Sequence, residues 1–417
     1  MESQPAHPNP LSHSSDWRWP WWPLVPLYPF SQRRTIRREV VSDRIWTFEQ
    51  IQGILYVVVP IRMTVIRLDM GGLLVYAPVA PTPECVRLVN ELVAEYGEVR
   101  YIILPTTSGL EHKVFVGPFA RKFPKAQVFV APEQWSYPLK LPLSWLGLPA
   151  KRTHILPADC SETPFSREFS YAILGPINLG LGTFGEVAFF HWRSQTLLLT
   201  DTIISIPEHP PAIVQLDPYP LLFHARDNAF QTVADHPTTR QKGWQRITLF
   251  SLYFQPDTLD PLPLKQALSD ALKASDRSRK AYFGLFPFQW RSGWEEAFNT
   301  LRGDGNILVA PILQTLILNR SPQVTLAWAD RVCEWNFNRI IPCHFDAPIT
   351  ATPQAFREAF SFLEPQEAPP QGYLGSSKHP LPAGDFTILQ NIDKRLNQWG
   401  ITPPPSISEN AVNLSNR

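Results

Sequence analysis

Four residues of types that bind metals or move protons follow three apolar stretches of the sequence. Glu111 and His112 come shortly after residues 101–104, Asp201 follows the run LLLT, and His344 follows RIIPC. Apolar runs without alternation are typical of central strands that are covered on both faces. Open α/β sheets bind their ligands at the carboxyl ends of such strands. The sequence therefore predicts one shared crevice, and its two imidazoles and two carboxylates suit Zn, Fe or Mn.

Each of these residues also has a purely structural interpretation. His112 can be a buried histidine that bonds to a loop carbonyl, with Glu111 as its charge partner, and Asp201 can cap a helix or brace a loop. His344, next to Cys343, can be a core histidine. The repeated placement after three distant strands favours a common site, but a one-metal site and a metal-free remnant both stay open.

The surrounding sequence predicts the elements that would position this site. The segments ILYVVVP, MTVIRLD and LLVYAP read as antiparallel strands, with a tight turn at Met70-Gly71-Gly72. A helix is predicted between an N-cap at Thr82 and a C-cap at Gly97. Further strands are predicted in YAILGPI and EVAFFHW, and an amphipathic helix in QVTLAWADRVCEWN. The fold class is therefore α/β.

Composition shifts divide the chain into three parts. Residues 1–44 form an extended arm rich in Pro and Trp, residues 45–363 form the main domain, and residues 364–417 form a Pro-rich tail. Residues 206–300 are predicted to be an insertion that acts as a lid or capping lobe. The arm has two interpretations: its tryptophans pin it across the domain, or its Trp and Arg residues make a peripheral membrane contact.

Charge and hydropathy exclude some function classes. The chain has 38 Lys and Arg against 37 Asp and Glu, a net charge of +1, which argues against nucleic acid as a partner. The longest apolar run, residues 307–318, is interrupted and shorter than the ~20 residues of a transmembrane helix, so we expect a soluble protein. The cysteines lack CxxC spacing, which is typical of a reducing compartment.

Five motifs resemble those of the metallo-β-lactamase superfamily, whose fold is an αββα sandwich. The segment 107–112 aligns with HxHxDH, LGLGTFGEVAF with TPGHxPGxVAF, LLLTD with the strand that ends on the bridging Asp, and IIPCH with the strand that ends on the last His. The hairpin MTVIRLDMGGLLVYAP aligns with the first hairpin of the superfamily. The resemblance covers residues 45–363 apart from the insertion, and it implies an αββα sandwich here.

The resemblance also implies that one of the two metal positions of the superfamily is lost in this chain and that the other is retained. Thr107, Gly109 and Gly182 stand where imidazoles build one position, so that position is expected to be lost. The other position is retained by metal ligands that the resemblance assigns to this sequence: Glu111, His112, Asp201 and His344. One Zn, Fe or Mn ion is the implied cofactor, or none if the site is a remnant.

Two functions follow from this degenerate site. The first is hydrolysis of an ester, thioester or amide, with Glu111 as fourth ligand or general base. The second is a non-catalytic binding or assembly protein that keeps the fold as a platform, so the partner is a small-molecule substrate or a protein. The segment LEHKVFVGPFARKFPKAQVFVAP also resembles a domain family of unknown function from cyanobacteria and plastids, which implies the cytoplasm or the plastid stroma.

Overall fold

Two sheets packed face to face, with helices on both outer faces, form the body of the molecule. A computed structural model describes residues 14–24, 26–107, 111–134, 139–364 and 369–406. The first sheet has seven strands in the order of the sequence, antiparallel from β1 to β4 and parallel from β4 to β7. Its strands are β1 (Ile36–Val41), β2 (Ile45–Ile54), β3 (Val57–Arg67), β4 (Leu73–Tyr76), β5 (Val99–Leu104), β6 (Gln127–Val130) and β7 (Thr153–Ile155).

The second sheet and the remaining short strands come from the part of the chain after residue 168. The strands numbered from there on are β8 (Phe169–Asn178), β9 (Thr183–His191), β10 (Thr196–Leu199), β11 (Ile204–Ser205), β12 (Leu259–Pro261), β13 (Phe288–Trp290), β14 (Ile307–Leu308), β15 (Arg339–Pro342), β16 (Ile349–Thr350), β17 (Tyr373–Ser376) and β18 (His379–Pro382). The second sheet has the order β16-β15-β10-β9-β8, with β10 and β15 parallel. The pairs β11–β14, β12–β13 and β17–β18 stand apart from both sheets.

Helices cover the outer face of each sheet. They are α1 (Pro83–Tyr96), α2 (His112–Lys122), α3 (Ala212–Gln215), α4 (Tyr219–Ala225), α5 (Pro237–Tyr253), α6 (Leu264–Lys273), α7 (Trp294–Arg302), α8 (Pro311–Leu316), α9 (Pro322–Cys333), α10 (Pro353–Glu358) and α11 (Thr387–Gln398). The predicted caps of α1 are confirmed, because the Thr82 hydroxyl accepts the Cys85 N–H at 3.2 Å and Gly97 has φ +96°.

Three apolar layers explain why the central strands show no alternation in sequence. In β5, Ile102 and Leu104 pack toward α1 and α2, whereas Ile103 lies between the sheets. In β10, Leu198 lies between the sheets and its neighbour Leu199 packs toward the helices of the second half. Both faces of each strand are therefore buried, and the predicted αββα sandwich is confirmed.

The two terminal segments contain more regular structure than the sequence analysis assigned to them. Residues 36–41, placed in the arm, form β1 and pair with β2, although the segment IRREVV has too many charges to stand out as a strand. Residues 387–398, placed in the Pro-rich tail, form α11, whose Leu389 is buried. Within the arm, Trp19 is buried against Phe115 of α2, their ring centroids 5.4 Å apart.

The segment 206–300 packs into the core of the molecule. From α4 and α5, Leu221, Trp244, Ile247 and Tyr253 are fully buried in the same apolar layer as the outer face of the second sheet. Helix α5 contacts α4, α7 and α8 and also β3 of the first sheet, whereas α9 packs on β8 of the second sheet.

We expect Gly243→Ala to destabilise the protein by about 1–3 kcal/mol, although alanine normally favours a helix by ~1 kcal/mol. Gly243 lies inside α5, where a Cβ atom would stand 1.9 Å from the carbonyl oxygen of Leu221 in α4. The backbones must move apart because neither neighbour is a flexible side chain. Chemical denaturation measures the loss. Gly384→Ala is the control, since its Cβ would make only ordinary contacts at 3.6 Å, and an equal loss in both variants would contradict the prediction.

Candidate metal centre

Three strand ends from both sheets meet at one edge of the sandwich. Glu111 immediately precedes α2 in the connection that leaves β5 of the first sheet, whereas Asp201 and His344 follow the parallel strands β10 and β15 of the second. One ligand atom from each of these three residues lies within 4.8 Å of the other two. The structure thus brings Glu111, Asp201 and His344 together, whereas their role as metal ligands stays a prediction.

The His344 imidazole connects the two carboxylates of this group. Its Nε2 lies 2.9 Å from Oε2 of Glu111 and 3.1 Å from Oδ1 of Asp201. Burial opposes a charge on His344, but the two carboxylates outweigh it and raise the pKa of His344 well above its usual value. Burial likewise opposes the charge of Glu111, yet the neighbouring His344 lowers the pKa of Glu111. The two carboxylates therefore favour the protonated form of His344, whose Nε2 lies within hydrogen-bond distance of both.

His112 is fully buried beside this group, and its tautomer is set by a backbone carbonyl. Its Nδ1 lies 3.0 Å from the Pro78 oxygen, and a carbonyl only accepts, so Nδ1 carries the proton and donates it. The Nδ1 of His344 is bound in the same way to the Pro60 oxygen at 3.1 Å. This is the arrangement by which proteins orient histidines that ligate metals through Nε2. Burial lowers the pKa of His112, which favours its neutral form.

The chemistry of the donor set fits one divalent cation. Among the described residues, neither Nε2 of His112 nor Oδ2 of Asp201 has a hydrogen-bond partner, although both atoms are buried. Buried polar atoms without partners are rare and costly, and a cation bound at Asp201 would satisfy its Oδ2. Glu111, Asp201 and His344 are the residues that would hold it; the structure does not bring His112 within 4.8 Å of all three, so its part as a further ligand stays a prediction.

The resemblance implies that metal ligands have been lost at Thr107, Gly109 and Gly182, and none of these residues has an imidazole. The Thr107 hydroxyl accepts the Gly185 N–H at 2.7 Å and donates to the Thr183 carbonyl at 2.9 Å, so it ties the β5 loop to the start of β9. Gly182 has φ +140° and no side chain to offer. Gly109 lies outside the described residues. Within the described part of the chain, the group of Glu111, Asp201 and His344 is the one cluster of three potential ligands.

Glu186, which the sequence analysis did not single out, holds the loop that carries Asp201. Its buried carboxylate accepts the backbone N–H groups of Thr200, Asp201 and Thr202 at 2.8, 3.1 and 3.0 Å, and the Thr202 hydroxyl at 3.1 Å. Burial and the charge of Asp201 raise the pKa of Glu186 to about 7, whereas the three N–H groups act in the opposite direction. An isolated Glu inside the apolar strand EVAFF was the available signal.

Arg62 holds the segment that carries His344 in a similar way. This fully buried side chain pairs with Glu49 at 2.9 Å and donates to the carbonyl oxygens of Pro342 at 2.6 Å and Phe345 at 2.7 Å. The two carbonyls flank His344 in sequence. Arg62 therefore fixes the backbone of β15 to the first sheet on both sides of the imidazole.

A cavity of about 950 Å³ opens on this group. Its polar lining comprises Thr107, Glu111, Lys113, Glu133, Gln134, Thr183, Asp201, Ser251 and His344. Most of its remaining surface is aliphatic. We call six of these side chains the aliphatic wall: Leu179, Leu181, Ile204, Leu252, Ile312 and Leu313. Such a shape, apolar with a few convergent polar groups, is typical of small-molecule sites.

The αββα sandwich with a carboxylate–imidazole group at its edge is a metallo-β-lactamase-like fold. The sequence matches the family described as Domain of unknown function (DUF4336) over residues 42–362. The chain therefore belongs to that family. No curated protein sequence matches it significantly. The helices of the described residues are too short or too polar to cross a membrane.

Solved structures similar to the chain include flavodiiron proteins and metallo-β-lactamases. A flavo di-iron protein mutant from Thermotoga maritima is 8% identical with a TM-score of 0.41, and the similarity covers 82% of this chain and 65% of that protein. The flavodiiron core of Flv1 from Synechocystis sp. PCC6803 is 10% identical, with a TM-score of 0.38 and coverages of 81% and 63%. The DIM-1 metallo-β-lactamase is 11% identical, with a TM-score of 0.35 and coverages of 79% and 97%. The chain thus spans less than two thirds of the flavodiiron proteins, and these similarities concern the fold alone.

Proposed function

We propose that the protein is a metal-dependent hydrolase with a single metal position. The observation that carries this proposal is the meeting of Glu111, Asp201 and His344 within 4.8 Å at the mouth of a large cavity. His112, whose buried Nε2 has no partner among the described residues, is the fourth proposed ligand, although it lies outside the 4.8 Å group. The position that the superfamily builds from imidazoles at 107, 109 and 182 is absent in this proposal, because none of these residues offers one.

The proposed reaction is cleavage of an ester, thioester or amide. When bound, a divalent cation supplies Lewis-acid activation of water and of the carbonyl group. Water adds to the acyl carbon, the bond to oxygen, sulfur or nitrogen breaks, and the leaving group departs with a proton. In this proposal Glu111 serves either as a metal ligand or as the general base that accepts the proton of the attacking water. In this proposal Lys113, which lines the same cavity, donates an N–H to the acyl oxygen.

A second function is favoured by the completeness of the hydrogen bonds at His344. Both nitrogens of this imidazole have partners, namely Pro60 on one side and the two carboxylates on the other. Such a network is stable without a cation, as in a remnant that has lost catalysis. The protein would then be a binding or assembly protein that uses the same cavity or its surface.

Metal binding separates these two functions. We expect untagged protein to take up about one equivalent of Zn, Fe or Mn, measured by elemental analysis after dialysis and by titration of the apoprotein. His344→Ala and Asp201→Asn should each lower the affinity by roughly 100-fold or more, because each removes a ligand. Saturating metal should raise the thermal midpoint of the wild type, since it binds only the folded chain.

Two variants away from the site provide the matched controls. His236→Ala removes an exposed histidine and Asp304→Asn an exposed carboxylate, and both should bind metal like the wild type. Circular dichroism establishes that each variant is folded. A folded wild type that binds no metal, or equal occupancy in His344→Ala, would refute the hydrolase and leave the binding protein.

A further inference from the structure

The aliphatic wall indicates the shape of a ligand for the cavity. Its side chains come from separate parts of the chain: the turn after β8, strand β11, and helices α5 and α8. Branched aliphatic residues predominate, so the surface suits a flexible hydrocarbon chain. The free energy of binding then comes from removing methylene groups from water.

Lys113 provides the second observation, which concerns the head of such a ligand. Lys113 lines the cavity, and its ammonium group donates to two backbone oxygens, those of Thr107 and Gln134, each at 2.7 Å. An ammonium group has three N–H donors, so one of them has no partner among the described residues. Both partners are neutral carbonyls, and the charge of this half-buried cation is therefore not neutralised by them.

The carboxylates of the cavity lining all have other partners. Glu111 and Asp201 share His344, and Glu133 pairs with Lys140 at 3.2 Å. Among the described residues that line the cavity, Lys113 is thus the cation without a carboxylate. A carboxylate or acyl oxygen of a ligand would complete its third hydrogen bond.

We propose that the cavity binds a single unbranched fatty acyl chain, with an acyl or carboxylate oxygen on Lys113 and the hydrocarbon against the aliphatic wall. This assignment rests on the proposed hydrolase and narrows its substrates to fatty acyl esters, thioesters or amides. The fatty carboxylate is then the product. Because the product alone binds without any reaction, it tests the cavity separately from the catalysis.

A chain-length series in metal-free protein is the first test. Octanoate, decanoate and dodecanoate are titrated in EDTA by calorimetry, below the concentrations at which they form micelles. Each added methylene should raise the affinity about three- to fourfold until the cavity is filled. Affinity that does not depend on chain length would overturn the proposal. If the protein binds metal but its affinity for the carboxylates does not rise with chain length, the acyl ligand is refuted and the hydrolase is not. If the affinity rises with chain length but the protein binds no metal, the hydrolase is refuted and the acyl ligand is not.

Substitution of the lysine is the second test. Lys113→Met should weaken dodecanoate binding about tenfold or more, because a charge-assisted hydrogen bond is lost, and leave the binding of neutral dodecanol unchanged. Lys122→Met, which removes an exposed lysine from the same helix, should bind both ligands like the wild type. Dodecanoate bound equally well by Lys113→Met and the wild type would overturn the assignment of the lysine.

Discussion

Replacing Arg62 with methionine is expected to lower the free energy of unfolding by about 3–5 kcal/mol. The buried guanidinium pairs with Glu49 and donates to the carbonyls of Pro342 and Phe345. Its removal leaves the buried Glu49 carboxylate with Arg38 at 3.6 Å as its remaining ion-pair partner. The loss of stability arises mainly because the buried Glu49 carboxylate loses its nearest ion-pair partner, since methionine fills a similar volume to arginine. Urea denaturation followed by tryptophan fluorescence measures it.

The same substitution should also weaken metal binding at the candidate metal centre. His344 lies between the two carbonyls that Arg62 holds, so the variant should bind metal more weakly, by on the order of 10–100-fold. This second readout distinguishes a loss of positioning from a general loss of stability. Apoprotein that is still folded at the temperature of the titration is required for the comparison.

Two further variants make the Arg62 prediction specific. Arg87→Met breaks an exposed pair with Glu91, and it should cost less than about 1 kcal/mol because water screens such pairs. The double variant Arg62→Met/Glu49→Met removes both buried charges. Its loss of unfolding free energy should be smaller than the sum of the two single losses, by on the order of 1–3 kcal/mol. Strict additivity, or a loss below about 1 kcal/mol in Arg62→Met, would contradict the prediction.

The strands and the ligands that follow them are predictable because their signals are local. A run such as LLLT is continuous because both its faces are buried, and the polar residue after it marks the strand end. The relation between Glu111, Asp201 and His344 was then predictable from one rule about sheets. Each of these inferences used only neighbouring residues and a general property of the fold.

The supporting residues were not predictable because their partners are distant in sequence. Arg62 contacts residues 342 and 345, and Lys113 is recognisable as special only once its partners are seen to be carbonyls. Helix α11 was not predicted for another reason: the prolines on both sides of residues 387–398 dominate the local composition. Its place depends on a buried ion pair between Asp393 and Arg320, which no local pattern indicates.

Glu186→Gln is expected to cost about 2–4 kcal/mol, although it preserves the size of the side chain. Both carboxylate oxygens accept hydrogen bonds, one from the N–H of Thr200 and the hydroxyl of Thr202, the other from the N–H groups of Asp201 and Thr202. An amide has one oxygen, so its NH₂ group must face donors on one side. Buried donors left without an acceptor cost about 1–3 kcal/mol each.

The effect of Glu186→Gln on metal affinity shows what the carboxylate does for Asp201. Residues 200–202 all bond to the Glu186 carboxylate. The loss of one acceptor oxygen should therefore shift the backbone that positions Asp201 next to His344. We expect metal affinity to fall by on the order of 10–100-fold, measured by titration. Thr202→Val is the matched control: it removes one hydroxyl donor, keeps all three N–H bonds, and should cost about 1 kcal/mol with metal affinity nearly unchanged. Equal metal affinities in Glu186→Gln and the wild type would show that Asp201 is positioned by the strand alone.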